Sequence, residues 1–409
     1  MTTHTRHIPG LILMLAGLTA LGPLSTDAYL PAMPAIADSL DASIHDVELS
    51  VSLFLAGFAS GQITGGPFSD RYGRRRAIFT GLTLFFLGSL AALLSGTILT
   101  LWFARMLQGF GGGMSVVNSA AVIRDRHSGR DSAQAMSRMA SILMVAPLLA
   151  PVLGTALLAV ADWRSIFVFL AAYALLMILI LGLRLPETRR HQPGPRPNPL
   201  RSYWAVLSHR SALGYLFSVA FSYAGLFAFI TGSPGSYIHY YGASPALYTL
   251  LFGLNIVTLL ACNRLNIRLL HRFTSQQLLQ RAQRFQLLMA SALLLVFVLT
   301  PAPLWLVVAL IMLYIGVQGF IISNGMAGTS EFFPHSAATA TALLGACGFA
   351  GGALSGALVG LLGDGTPLPM LAVMFGTCLL GNLLGTWLLP RRAGDMAAEA
   401  EPVRAPSRK

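Results

Sequence analysis

The sequence predicts an all-α integral membrane fold: twelve transmembrane helices in two six-helix bundles, with both termini cytoplasmic. Three observations carry this expectation. Of 409 residues, 55% are hydrophobic and only 10% charged, with a mean hydropathy of +0.67, whereas a soluble chain carries about a quarter of its residues as charges. Stretches of about 20 largely apolar residues, enough for a helix to cross about 30 Å of hydrocarbon, recur along the whole chain. Basic residues crowd alternate connections between these stretches, as they do on the cytoplasmic side of membrane proteins.

The twelve stretches lie near 9–36, 47–68, 77–97, 99–122, 135–160, 163–185, 211–235, 246–270, 282–300, 303–326, 337–362 and 367–390. The first is too long for the apolar core of a signal peptide, carries Asp27 and lacks a small-residue cleavage site, so it reads as retained. Segment 186–210 is too proline-rich for a membrane helix and divides the chain. The expected organisation is a bundle over 1–185, a cytoplasmic connection over 186–210, a second bundle over 211–390 and a disordered cytoplasmic tail over 391–409.

With the N-terminus inside, every Lys and Arg except Arg105 and Arg164 falls in a cytoplasmic segment. The net charge of +12 is then a topological label rather than a nucleic-acid footprint, and the expected partner of the surface is the lipid bilayer. Cys262, Cys347 and Cys378 sit in apolar runs without metal or disulfide spacing and read as packing residues. No HExxH, no Ser–His pair at useful spacing and no phosphate loop ending in Lys-Ser or Lys-Thr is present. No catalytic residue, metal or cofactor is therefore expected, and the chain reads as no enzyme. Two halves of six spans point to a duplicated transporter around a central cavity; a non-transport membrane enzyme or scaffold is the alternative of a different class.

Between spans two and three stands Gly66-Pro-Phe-Ser-Asp70-Arg71-Tyr-Gly73-Arg74-Arg75-Arg76. It resembles the cytoplasmic signature G-x-L-A-D-R-x-G-R-R/K of the major facilitator superfamily, with Phe68 and Ser69 as mild departures. Asp70 at one helix end and the arginines at the next can form charge-assisted bonds, and Gly73 permits a tight reversal. In span four, Arg105-Met-Leu-Gln108-Gly109-Phe-Gly111 is similar to the R-x-x-Q-G-x-G motif of that superfamily. A charge at this depth costs about 2.5–3.5 kcal/mol on insertion scales and calls for a partner or a cavity, or for snorkelling to the interface. Span five carries Ala146-Pro147-Leu-Leu-Ala150-Pro151-Val-Leu-Gly154, at the position of the antiporter motif of drug:proton exchangers, with Ala before each proline; a simple proline kink is the competing account.

Span one supplies Pro23-Leu-Ser-Thr-Asp27-Ala-Tyr29-Leu-Pro-Ala-Met-Pro34 and span seven supplies Phe221-Ser-Tyr223-Ala-Gly-Leu-Phe227-Ala-Phe229, followed by Asn255. Together they resemble the Bcr/CflA subfamily, the bicyclomycin and chloramphenicol resistance transporters. That resemblance implies the major facilitator fold and outward transport of small drugs in exchange for protons across a bacterial inner membrane. A proton-coupled carrier of a nucleoside, sugar or amino acid is the alternative on the same fold, and a monomer is expected in either case.

Asp27 is the one acid well inside a span. At about 1.5 Å per residue it lies about 15 Å below the outer boundary, and Arg105 about 10 Å below it. Burial disfavours the charged form of a carboxyl and a nearby arginine favours it, so Asp27 is the expected proton-coupling carboxylate with Arg105 tuning it; the alternative is a fixed ion pair or a packing role. Spans one, four, seven and ten line the cavity in the superfamily resembled. This implies Tyr29, Gln108, Asn118, Tyr223, Phe227, Gln318 and Asn324 as candidate cavity residues, joined by Asn255 of span eight from the subfamily resemblance, with helix packing as the competing role of each.

Overall fold

The computed structural model describes residues 10–127, 129–189, 204, 206–332 and 337–389. The proline-rich part of the 186–210 connection and the tail 391–409 lie outside the described residues, and the expectations for them lie there too. Among the described residues the chain is helical throughout, without strands. α1 (Leu11–Ser39) is built from Leu11–Thr19, Leu21–Asp27 and Met33–Ser39. A 3₁₀ turn, Leu30–Ala32, interrupts it where Pro31 and Pro34 supply no N–H. α2 (Ile44–Tyr72), α3 (Arg74–Leu93) and α4 (Ile98–Arg126) follow.

α5 comprises Gly129–Leu143 and Ala146–Val160, and α6 is Arg164–Arg184. α7 (Arg210–Tyr240) ends after Pro234 in a π-helical turn, Gly235–Tyr240. α8 (Pro245–Leu269), α9 (Ser275–Leu299), α10 (Leu304–Gly316 and Gln318–Phe332), α11 (Ala337–Leu361) and α12 (Leu368–Leu388) complete the chain. Starts are set locally by capping. Ser43 with Asp46, Thr97 with Thr100, and Thr274 with Gln277 form reciprocal boxes at α2, α4 and α9, each satisfying amides that the first turn leaves open.

Eleven helices among the described residues are long and apolar enough to cross a membrane. α4, at 29 residues, has the length, but Arg105, Gln108 and the glycines 109, 111, 112 and 113 dilute its hydropathy. The same glycines give it its place. A Cβ at Gly109 or Gly113 would strike the carbonyls of Phe54 and Phe58 on α2, and one at Gly57 or Gly61 would strike Met106 and Phe110 on α4. The two backbones therefore meet without intervening side chains, the small-residue packing that membrane helices use in place of a hydrophobic drive.

α3 covers the next face of α4 and packs on α6, while α7 packs on α11 and α12, and α9 on α12. The two largest seams between the first six helices and the last six are α2 with α11 and α5 with α8, with smaller contacts of α7 and α8 on α1 and of α7 on α2. One hydrophobic cluster runs through both sets, from Leu15 and Phe54 to Phe229 and Met374. α2 is longer than the 47–68 expected because residues 44–46 and 69–72 are also helical, and the chain then turns on Gly73 alone.

Candidate functional site

Asp27 closes the second segment of α1, where the broken helix leaves the chain free to turn. It is 5% exposed, and its Oδ1 accepts a bond of 2.8 Å from the Thr26 hydroxyl. Among the described residues no cation pairs with it. Its neighbour Ala28 presents its carbonyl to α5, where a Cβ at Gly154 would strike it. α5 continues to α8 through the Thr155 and Thr249 hydroxyls, 2.7 Å apart, and the Thr249 hydroxyl donates to the Pro151 carbonyl at 3.5 Å. Pro147 lies in the first turn of the second α5 segment, where a missing N–H costs nothing, and Pro151 lies inside it. The expected bend is thus a break at 144–145, just before Pro147.

Arg105 neither snorkels nor meets Asp27. It is fully buried, with Nη1 donating to Gln108 Oε1 at 2.6 Å and Nη2 to the Ser25 carbonyl at 3.0 Å. Its guanidinium lies 4.4 Å from the Phe54 ring centroid, 4.6 Å from Tyr29 and 6.0 Å from Phe167. Desolvated cation–π contacts of this kind contribute about 2 kcal/mol, and hydrogen bonds to a charged group about 1.5–3 kcal/mol; together they offset burial without an anion. Gln108 passes the network on through Nε2 to Ser89 Oγ at 2.8 Å, and Tyr29 shares a 2.8 Å bond with Ser50. Arg105, Gln108 and Tyr29 therefore form one closed cluster, tied to α1 two residues before Asp27.

The glycine–arginine motif assembles a latch among four helices. Arg74 donates from Nη1 to Asp70 and to Ser69, each at 2.6 Å, and from Nε to Asp125 at the end of α4 at 3.0 Å. Gly73 has φ +105°, a left-handed value that favours glycine, and it offers no side chain to cap α3. Glu187, after α6, does so instead: its two oxygens accept the Arg74 and Arg75 amides at 2.9 and 3.1 Å, placing negative charge at a helix N-terminus that begins with three arginines. Arg75 binds the Gly182 carbonyl at 2.8 Å, and the Arg71 carbonyl accepts Arg189 at 3.0 Å. The Arg71 guanidinium lies over Tyr72, and Gly66 accepts the Ser69 hydroxyl. Sequence reasoning missed Asp125 and Glu187; the available signals were Asp125 standing between Arg124 and Arg126 and Glu187 as the one acid of 186–210.

The remaining candidates divide. Tyr223 and Phe227 stack at 6.2 Å and reach Phe349 of α11, which lies 4.6 Å from Phe58 of α2, so they belong to the seam between the halves. Gln318 accepts from Ser222 at 2.8 Å and from Gln286 at 2.9 Å. Asn324 binds Asn266 Oδ1 at 2.9 Å, apart from that group. Asn118 and Asn255 each donate to the carbonyl four residues earlier. The Asn118 and Asn255 Oδ1 atoms and Gln318 Nε2 are buried without a partner, which leaves them free for water or a ligand. A cleft of about 980 Å³ opens between α1, α5 and α6, lined by Leu13, Met14, Leu24, Leu149, Leu153 and Met177 among others. None of the candidate cavity residues lines it.

Residues 15–356 match the Major Facilitator Superfamily. A protein of Bacillus subtilis (strain 168) called uncharacterized MFS-type transporter YdgK is 35% identical over 94% of this chain and 96% of its own length. A bicyclomycin resistance protein homolog of Haemophilus influenzae is 32% identical over 93% of this chain and 96% of its own. In fold, the chain is similar to the xylose transporter XylE from E. coli, solved in a partially occluded inward-open conformation. The TM-score is 0.73 at 16% identity, covering 94% of this chain and 98% of that one.

Proposed function

Because the chain belongs to the Major Facilitator Superfamily, we propose that it exports small drug-like molecules in exchange for protons by alternating access. The moving halves are α1–α6 (1–185) and α7–α12 (211–390), α4 being the twelfth span. Both termini and the arginine-rich connections face the cytoplasm of a bacterium, the protein lies in its inner membrane, and one copy contains the whole pathway. In this orientation the α5–α8 contact at Thr155 and Thr249 and the start of α2 against α11 lie toward the outside, while the Arg74 latch lies inside.

The observation that carries the reading is Asp27, a buried carboxyl with a hydroxyl for a partner and no counter-ion among the described residues. Burying an unpaired charge is costly, so such a group can hold a proton while enclosed and release it when its surroundings open to water. Its position supports coupling: the backbone one residue on is packed by α5, and α5 touches the other half. The near full-length likeness to a bicyclomycin resistance protein homolog supports a drug as cargo.

Proteoliposomes with an internal pH dye, challenged with bicyclomycin, chloramphenicol and a panel of nucleosides, sugars and amino acids, test the reading. Drug gradients are expected to drive counter-movement of protons, and Asp27→Asn to abolish that flux while the drug still binds. Proton movement with a metabolite alone would reassign the cargo, and full coupling in the variant would remove Asp27 from the mechanism.

A further inference from the structure

Glu48, one turn into α2, is 2% exposed and faces α7 and the α11–α12 connection across the seam between the halves. Its Oε2 lies 3.1 Å from His45 Nδ1. Its Oε1 sits over Gly235, so close that a Cβ there would come within 2.6 Å. Gly235 opens the π turn of α7, and the last residues of that turn include His239. The His45 ring in turn lies against Gly363, where a Cβ would strike it. Asp364 follows, its carboxylate accepting the Thr366 amide at 2.8 Å and hydroxyl at 2.7 Å. Slight burial works the other way, but those bonds and the nearby His45 hold Asp364 below the usual carboxylate range.

The charged groups that face the pair are therefore Asp46, bound by the Ser43 cap, His239 on α7, and Asp364 after α11. Acid and base alternate across the seam: Glu48 of one half feels His239 of the other, and His45 feels Asp364. His45, Glu48 and His239 line a pocket of about 10 Å³, room for about one water.

We propose that His45, Glu48, His239 and Asp364 form a second proton-binding site, in which protons taken from the outer side draw α2 against α7 and α11 and hold the outer end shut. A proton on His45 turns its bond to Glu48 into a charge-assisted one and adds attraction to Asp364; a proton on His239 adds attraction to Glu48. Without those protons Glu48 is a buried carboxylate lacking a cation, and parting the helices lets it hydrate. The π turn, a common feature of functional sites, is the element that can reshape as they part. This rests on the proton-coupled reading, under which an exchanger must shut its outer side once it has taken a proton.

The test is the distance between spin labels on Asp38→Cys, at the outer end of α1, and Leu362→Cys, at the end of α11, in protein whose Cys262, Cys347 and Cys378 are replaced. Measured in nanodiscs without drug, the short-distance population is expected to grow as pH falls from about 8.5 to about 5.5, through the ordinary histidine range. Glu48→Gln and His45→Asn are expected to abolish that dependence and His239→Gln to reduce it. A wild-type titration retained in Glu48→Gln and His45→Asn, or no titration in the wild type, overturns the proposal. His239 is exposed, so its variant reads out even where the buried substitutions fail to fold. No drug is present, so failure of the export reading shows separately, as an unaltered proton flux in Asp27→Asn.

Discussion

Arg105 shows how a membrane interior can hold a charge without an opposite one. Its planar fork divides between an amide and a carbonyl while its face lies on aromatic rings, a combination that a lysine, a point charge on a flexible stem, cannot reproduce. Arg105→Lys is expected to cost about 2 kcal/mol, seen as a lower thermal unfolding midpoint in detergent. In the sequence Arg105 stood out as the lone arginine deep in an apolar run, and Asp27 as the lone acid. Their surroundings were not legible. The groups around Arg105 are a carbonyl on α1 and rings on α1, α2 and α6, residue types that occur throughout the chain, so nothing distinguished Ser25, Phe54 or Phe167. The fixed ion pair of Arg105 with Asp27, the alternative to a coupling role, has no counterpart in the ion pairs of the described residues; rings and neutral dipoles surround the guanidinium instead.

At the scale of the element, glycine does two different things. Gly61→Ala places a methyl where the Phe110 carbonyl stands, so α2 must move off α4; loss of folded protein on size exclusion and a fall in unfolding temperature are expected. Gly376, inside α12, has nothing within 4 Å of its would-be Cβ. Gly376→Ala is expected to be neutral or to raise stability by up to about 1 kcal/mol through helix propensity, measured in the same unfolding assay. Hydropathy located eleven of the helices, and the prolines of span five pointed to a bend there; the break in α1 was not expected. The break in α10 after Gly316 and the π turn of α7 were not legible, because neither changes the apolar pattern that identifies a span. The latch was half legible: its arginines form a motif, whereas Glu187 reaches α3 from more than a hundred residues away.

At the scale of the molecule, the two seams decide what can move. Thr155 and Thr249, with hydroxyls 2.7 Å apart, are placed so that a cysteine at each can form a disulfide. Oxidation of Thr155→Cys/Thr249→Cys is expected to cross-link the halves in high yield and stop transport, with reduction restoring it; a gel shift of the protease-nicked chain and a flux assay report the two. Charge asymmetry in the loops suggested a topology, but it carries no information about which helix ends touch, since that is a property of packing and not of composition. Construction of the molecule is constrained as well. α4 is poor in apolar surface, and apart from its own Gln108 the groups that solvate its guanidinium come from α1, α2 and α6. Left alone in lipid, this segment would leave those donors bare and its glycine backbone uncovered. Its residence in the bilayer is therefore a collective property, acquired as earlier and later segments gather around it, and a chain emerging N-terminus first has α1 and α2 at hand to receive it.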